Sequence, residues 1–101
     1  MEKRRPTYDL AAVKQVLGSA STLAITTSAL RDAVALGFDR NGIAATIRSL
    51  GRPMFLKSMT TLADHRVWQD VYHAPADGLT LYVKIQADMI TEFKVMSFKE
   101  R

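Results

Sequence analysis

The sequence contains no cysteine, so disulfide cross-links and zinc–thiolate sites are both excluded. Long apolar runs are missing as well: none reaches the roughly 20 residues that a membrane-spanning helix needs. The basic start, Met1-Glu2-Lys3-Arg4-Arg5-Pro6, has no apolar stretch behind it and does not read as a signal peptide. A cytoplasmic location away from membranes is the default expectation. Acidic residues number ten against fourteen Lys and Arg, and they form no cluster suited to magnesium. No Gly-rich phosphate loop, HExxH pattern or nucleophile elbow is present. His65 and His73 are separated along the chain and have only Asp64 as an acidic neighbour, too little for a ligand set. Neither a metal nor a cofactor is expected.

What is present describes a small packed protein. A length of 101 residues fits one domain, residues 1–101, and 48% apolar content is enough for its core. The formal charge of +4 is compatible with a polyanionic partner without requiring one.

The first half reads as helical. Residues 9–18 set Leu10, Val13, Val16 and Leu17 on one helical face, with Gly18 as the stop. Residues 22–26 are β-prone and suggest a short strand. Thr27 or Ser28 is suited to cap a helix whose Leu30, Ala33 and Val34 point inward before Gly37 ends it. Asp39 caps a third helix carrying Ile43, Ile47 and Leu50, closed by Gly51 and Pro53. After Pro53 the period shifts. Leu79, Leu81, Val83 and Ile85 alternate with Thr80, Tyr82, Lys84 and Gln86, the pattern of a half-buried strand. Residues 54–60, 67–73 and 90–98 supply three more strands, with turns at Asp77-Gly78 and Ala87-Asp88. Phe93 and Val95 then share one face. Helices followed by an antiparallel meander predict an α+β domain, a small sheet with helices packed on it.

The strand half gathers Lys57, Gln69, His73, Tyr82, Lys84, Lys94 and Lys99. Tyr82 and Lys84 belong to the polar side of their strand. Cations that meet phosphates and rings that stack on bases suit RNA. A sheet face merely solvated by lysines explains the same residues, and the residues alone leave both accounts open. Residues 27–51 also have the outline of a helix-turn-helix, with Arg40 and Asn41 opening a recognition helix. Gly42 weakens that helix's first turn, and a plain helical hairpin packed on the sheet has the same outline. Trp68, the Phe residues and Met54, Met89 and Met96 read as core rather than as base-stacking groups.

The run Phe55-Leu56-Lys57-Ser58-Met59-Thr60-Thr61, then Asp64-His65 and Trp68-Gln69-Asp70-Val71-Tyr72, resembles the central signature of the motility quorum-sensing regulator (MqsR) toxins. Met1-Glu2-Lys3-Arg4 with Pro6, Ser28-Ala29-Leu30, Leu36-Gly37 and Ser97-Phe98-Lys99-Glu100 extend the resemblance over nearly the whole chain. It implies a fold similar to the RelE and YoeB toxins. It also implies an endoribonuclease that cuts single-stranded mRNA without the ribosome at GC-containing triplets such as GCU. The implied partner is an antitoxin with a zinc-binding domain and a helix-turn-helix domain, through which alone operator DNA is reached. By the same resemblance the catalytic residues are Lys57, Gln69, Tyr82 and Lys99, and Met59 matches a position counted with the active site and is expected to bind substrate. His73 and Lys84, taken from the polar and cationic set of the strand half, are expected to bind substrate as well. Two positions depart from the family pattern: Leu56 stands where many members have Tyr, and His73 where they have Arg. The final hairpin is also slightly longer than usual. The expected chemistry is attack by the ribose 2′-hydroxyl, with the lysines neutralising charge and Tyr82 orienting the phosphate or donating a proton. Gln69 is neutral and holds phosphate or base by hydrogen bonds. Among these groups His73 alone has an ordinary pKa near neutrality, which makes it a candidate acid or base.

Overall fold

Residues 1–101 are described by a computed structural model. Three capped helices form first along the chain: α1 (Leu10–Leu17), α2 (Thr27–Ala35) and α3 (Arg40–Ser49). Asp9, Thr26 and Asp39 each accept a hydrogen bond from a backbone N–H in the first turn of the helix that follows. The cap of α2 is thus Thr26 rather than Thr27 or Ser28, because Thr26 is the last residue with extended backbone. Gly37 ends α2 at φ +92°, while the Phe38 N–H returns to the Ala33 carbonyl.

The chain then passes through a 3-10 turn (Arg52–Met54) into the sheet: β2 (Phe55–Thr60), β3 (Trp68–Ala76), β4 (Leu79–Asp88) and β5 (Glu92–Glu100). A two-residue strand at the start of the chain, β1 (Glu2–Lys3), pairs with β2. The strand order is β1-β2-β3-β4-β5, antiparallel throughout. This is the α+β meander that the alternating pattern predicts. Asp77 (φ +50°) and Gly78 (φ +78°) form the two-residue hairpin turn between β3 and β4. β3 runs through Pro75 to the turn, beyond the end expected at residue 73. Its pairing with β2 stops at Tyr72, so the missing proline N–H costs no ladder bond there.

The helices cover one side of the sheet: α1 and α2 pack on β5, and α3 packs on α1. Between the layers lie Leu17, Ile43, Ile47, Leu81, Val83, Ile85, Val95 and Phe98, all fully buried. Burial of a Val, Leu or Ile side chain contributes about 1.5–3 kcal/mol, and these positions carry the fold.

Four further expectations need correction. Residues 22–26 form no strand; only Ile25 makes an isolated parallel bridge, to Val95. Val34 is 58% exposed, because α2 turns Ala29 and Ala33 inward instead. Ala87 and Asp88 are the end of β4, and the turn is residues 89–91, which the Asp88 carboxylate organises by accepting from Ile90 N–H and from Thr91. Met89 sits on that turn fully exposed, since no layer lies above it. Phe93 and Val95 do share the buried face.

Candidate active site

Alternation along four strands decides which side chains reach the open side of the sheet. On β4 the odd residues Leu81, Val83 and Ile85 are buried under the helices, so Tyr82, Lys84 and Gln86 face away from them. The register carries this parity across the sheet in three rows. Lys57, Val71, Lys84 and Ser97 lie side by side in one row. Met59, Gln69, Gln86 and Lys94 form the second, and His73, Tyr82 and Lys99 the third. Two bulges keep the rows aligned, one at Leu56 in β2 and one at Met96 in β5. The seven sequence-derived residues, Lys57, Met59, Gln69, His73, Tyr82, Lys84 and Lys99, therefore share one face. Strand spacings of about 4.8 Å put them within the span of a few nucleotides.

The side chains on this face are ordered by one another. Val71 points to the open side yet is fully buried, roofed by its longer neighbours. Gln69 is 8% exposed, and its amide N–H donates to Gln86 Oε1 at 2.8 Å. The Tyr82 ring meets the His73 ring at 6.0 Å between centroids, and the Lys99 ammonium stands 5.6 Å from the Tyr82 ring centre. Lys57 Nζ donates to Glu2 Oε1 at 2.6 Å. Lys94 is engaged with Asp88 at 3.8 Å.

Electrostatics shifts two of these groups. Burial first, and then the positive charge of Arg101, holds the His73 imidazole below its ordinary value. Burial, followed by repulsion from Lys99, lowers Lys84. Both effects on His73 favour its neutral ring. The other nearby tyrosine, Tyr72, lies on the helix side, where burial and the Asp70 charge push it up to about 12. It has no part in this face.

Other candidate residues lie elsewhere. Trp68 is half-buried on the helix side beneath the Lys3 ammonium, 4.1 Å from the ring centre. Arg40, which opens α3, donates to the Ala20 and Leu23 carbonyls at 3.0 and 2.6 Å and is consumed by the fold. Leu56 occupies the β2 bulge, 36% exposed, and its carbonyl accepts from Arg4. Three clefts, of about 330, 690 and 410 Å³, open elsewhere on the molecule, and none is lined by Lys57, Gln69, Tyr82 or Lys99. The candidate site is a surface, the shape suited to a strand of polymer laid across a sheet.

Sequence reasoning missed Glu2 and Gln86. Glu2 stands only in the terminal resemblance and Gln86 only in the alternation of its strand; neither pattern marks a site residue, and each acquires its partner only through strand register.

Comparison with known proteins places the whole chain. Residues 5–100 match a family model described as motility quorum-sensing regulator, toxin of MqsA. The chain is 41% identical over 101 residues to the mRNA interferase toxin MqsR of Escherichia coli (strain K12), covering 100% of both chains. With its fold and sheet face set beside these matches, the chain belongs to the MqsR toxin family.

Proposed function

We propose that this protein is an endoribonuclease toxin that cuts single-stranded mRNA on the open face of its sheet, at GC-containing triplets such as GCU. The observation that carries the reading is the convergence of Lys57, Gln69, Tyr82 and Lys99 on one face of a member of this family. The name of the Escherichia coli relative, an mRNA interferase, supports the substrate class.

The proposed reaction assigns its steps to these side chains together with His73, Lys84 and Met59. The 2′-oxygen of the ribose bonds to phosphorus while its proton passes to a base. The P–O5′ bond breaks and the leaving oxygen takes up a proton, leaving a 2′,3′-cyclic phosphate and a 5′-hydroxyl. Lys57 and Lys99 neutralise the charge that builds on the non-bridging oxygens, an effect strengthened where water is excluded. Tyr82, held between His73 and Lys99, orients the phosphate or protonates the leaving oxygen. Gln69 has one N–H committed to Gln86, which leaves its second N–H for phosphate or base. Lys84 and Met59 hold the strand, by charge and by apolar contact. His73, whose surroundings favour its neutral ring, is the base proposed to take the 2′-hydroxyl proton.

The partner that follows from this reading is an antitoxin with a zinc-binding domain and a helix-turn-helix domain, the latter being the only contact with operator DNA. The family description, toxin of MqsA, supports an antitoxin partner.

The test is a single-stranded RNA carrying one GCU, incubated in excess EDTA with wild type, Lys57→Ala and Tyr82→Phe. Cleavage by wild type should fall by at least about a hundredfold in Lys57→Ala, the scale of losing one transition-state charge contact. RNA left intact across several triplets by a folded wild type would reduce the protein to an RNA-binding module. Full activity in Lys57→Ala would move the centre off this face.

A further inference from the structure

The first eight residues are held with unusual thoroughness for a two-residue strand. The Asp70 carboxylate, 1% exposed, accepts from Thr7 N–H at 3.0 Å through both oxygens and from Tyr8 N–H at 2.9 Å. Thr7 Oγ1 and Ser58 Oγ lie 2.7 Å apart, and the Tyr8 hydroxyl donates to the Trp68 carbonyl at 2.6 Å. The Lys3 ammonium caps the Trp68 ring, and Thr60 N–H donates to the Met1 carbonyl at 3.0 Å. All the side-chain anchors are on the helix side or at the edge. The paired register leaves Glu2 as the β1 side chain on the open face, and its carboxylate meets Lys57 there.

We propose that Glu2 is a positioning residue of the active face: the anchored β1 carries its carboxylate to Lys57 and fixes the ammonium where the phosphate is met. This rests on the ribonuclease reading and adds a residue to it. A lone lysine on an open sheet samples many rotamers, and ordering it costs entropy that a fixed partner supplies in advance. The pair is well formed for that purpose. The Lys57 side chain is 26% exposed against 51% for Glu2, so the ammonium is the better enclosed member. Hydrogen bonding from Lys57, and then its charge, holds the Glu2 carboxyl below the usual range, so Glu2 stays ionised through neutral pH. An exposed ion pair of this kind adds little to stability, so its removal leaves the fold in place.

Simple electrostatics predicts the opposite of positioning. A carboxylate on a phosphate-binding face repels RNA, so its loss should help binding and leave the chemical step alone. The two are separated by Glu2→Gln, Glu2→Asp and the control Asp32→Asn, an equal change of charge on exposed α2, each assayed for kcat and KM. Positioning expects kcat to fall about tenfold in Glu2→Gln with KM unchanged or lower, as for a misplaced catalytic group. Glu2→Asp should recover part of the loss, and Asp32→Asn should lose nothing. A kcat in Glu2→Gln equal to or above wild type overturns the proposal. A second readout stands apart from catalysis: the NMR order parameter of the Lys57 ammonium, high in wild type and reduced in Glu2→Gln. Should wild type fail to cut RNA, the ribonuclease reading falls, while an unchanged order parameter would still overturn the positioning role by itself.

Discussion

At the scale of single residues, His73 is the titratable group of the open face. Its ring changes charge where a lysine or arginine would not, and the surroundings act on that ring. Burial and then Arg101 disfavour its protonated form. Tyr82 packs beside it, with ring centroids 6.0 Å apart. The sign of the consequence follows directly. A histidine whose folded-state value is depressed stays neutral further into the acid range, so a step that needs the neutral ring is lost only below the ordinary pKa. If His73 takes the 2′-hydroxyl proton, kcat/KM of wild type should show an acid limb centred below about 6.5, the unperturbed value. His73→Asn should lower the plateau and abolish that limb. Identical pH profiles for the two proteins would remove His73 from proton transfer and leave it as a contact. Linkage adds a stability effect with a defined direction. The unfolded chain binds this proton more readily, so His73 contributes stability at neutral pH that fades as acid protonates the folded ring.

At the scale of elements, the helices and the candidate face lie on opposite sides of one sheet, an arrangement that would separate folding from function. Ile47 on α3 is fully buried and has no contact with the open face. Ile47→Ala should lower unfolding free energy in urea by about 2–5 kcal/mol, the range for an aliphatic side chain deleted from a packed core. Cleavage well below the melting transition should stay within about twofold of wild type, since the mutation reaches the site only through global unfolding. A large kcat loss in a fully folded Ile47→Ala protein would mean that α3 shapes the face through the sheet. The same division explains what could be read in advance. Helix periods, caps and strand alternation are local, so α1, α3, β4 and the Asp77-Gly78 turn were legible in the residues. β1 was not, because two residues carry no period and are made a strand only by Ser58 and Met59 far along the chain. Residues 22–26 failed for the converse reason: β-prone side chains without a partner strand give one bridge. The candidate residues came from a family signature and from side-chain chemistry. Their gathering into three rows, and the addition of Glu2 and Gln86, depend on register, which no local pattern encodes.

At the scale of the whole molecule, a net charge of +4 understates what a nucleic acid meets. Most of the other cations are spread over the helices and edges, or are engaged: Arg40 with two carbonyls, Lys14 with the Leu50 carbonyl, Arg48 with the Gly18 carbonyl and Arg66 with Asp64. Lys57, Lys84 and Lys99, the site lysines, share the flat open face with Lys94, where Lys57 is paired with Glu2 and Lys94 with Asp88. Binding through them releases counterions from the RNA, so affinity should fall with salt at a slope set by the number of phosphates met. With about 0.7 released per phosphate on a single strand, three contacts give a log–log slope near −2. The measurement is fluorescence anisotropy of a 2′-O-methyl oligonucleotide, which cannot be cut, over a series of salt concentrations. Lys99→Ala should make the slope shallower by about 0.7, one phosphate fewer, whereas Arg31→Ala on exposed α2 should leave it unchanged. A slope near zero would mean that RNA is held without these lysines. An equal loss from Arg31→Ala would mean that the molecule attracts RNA as a diffuse cation, and the open face would lose its claim to be where the strand lies.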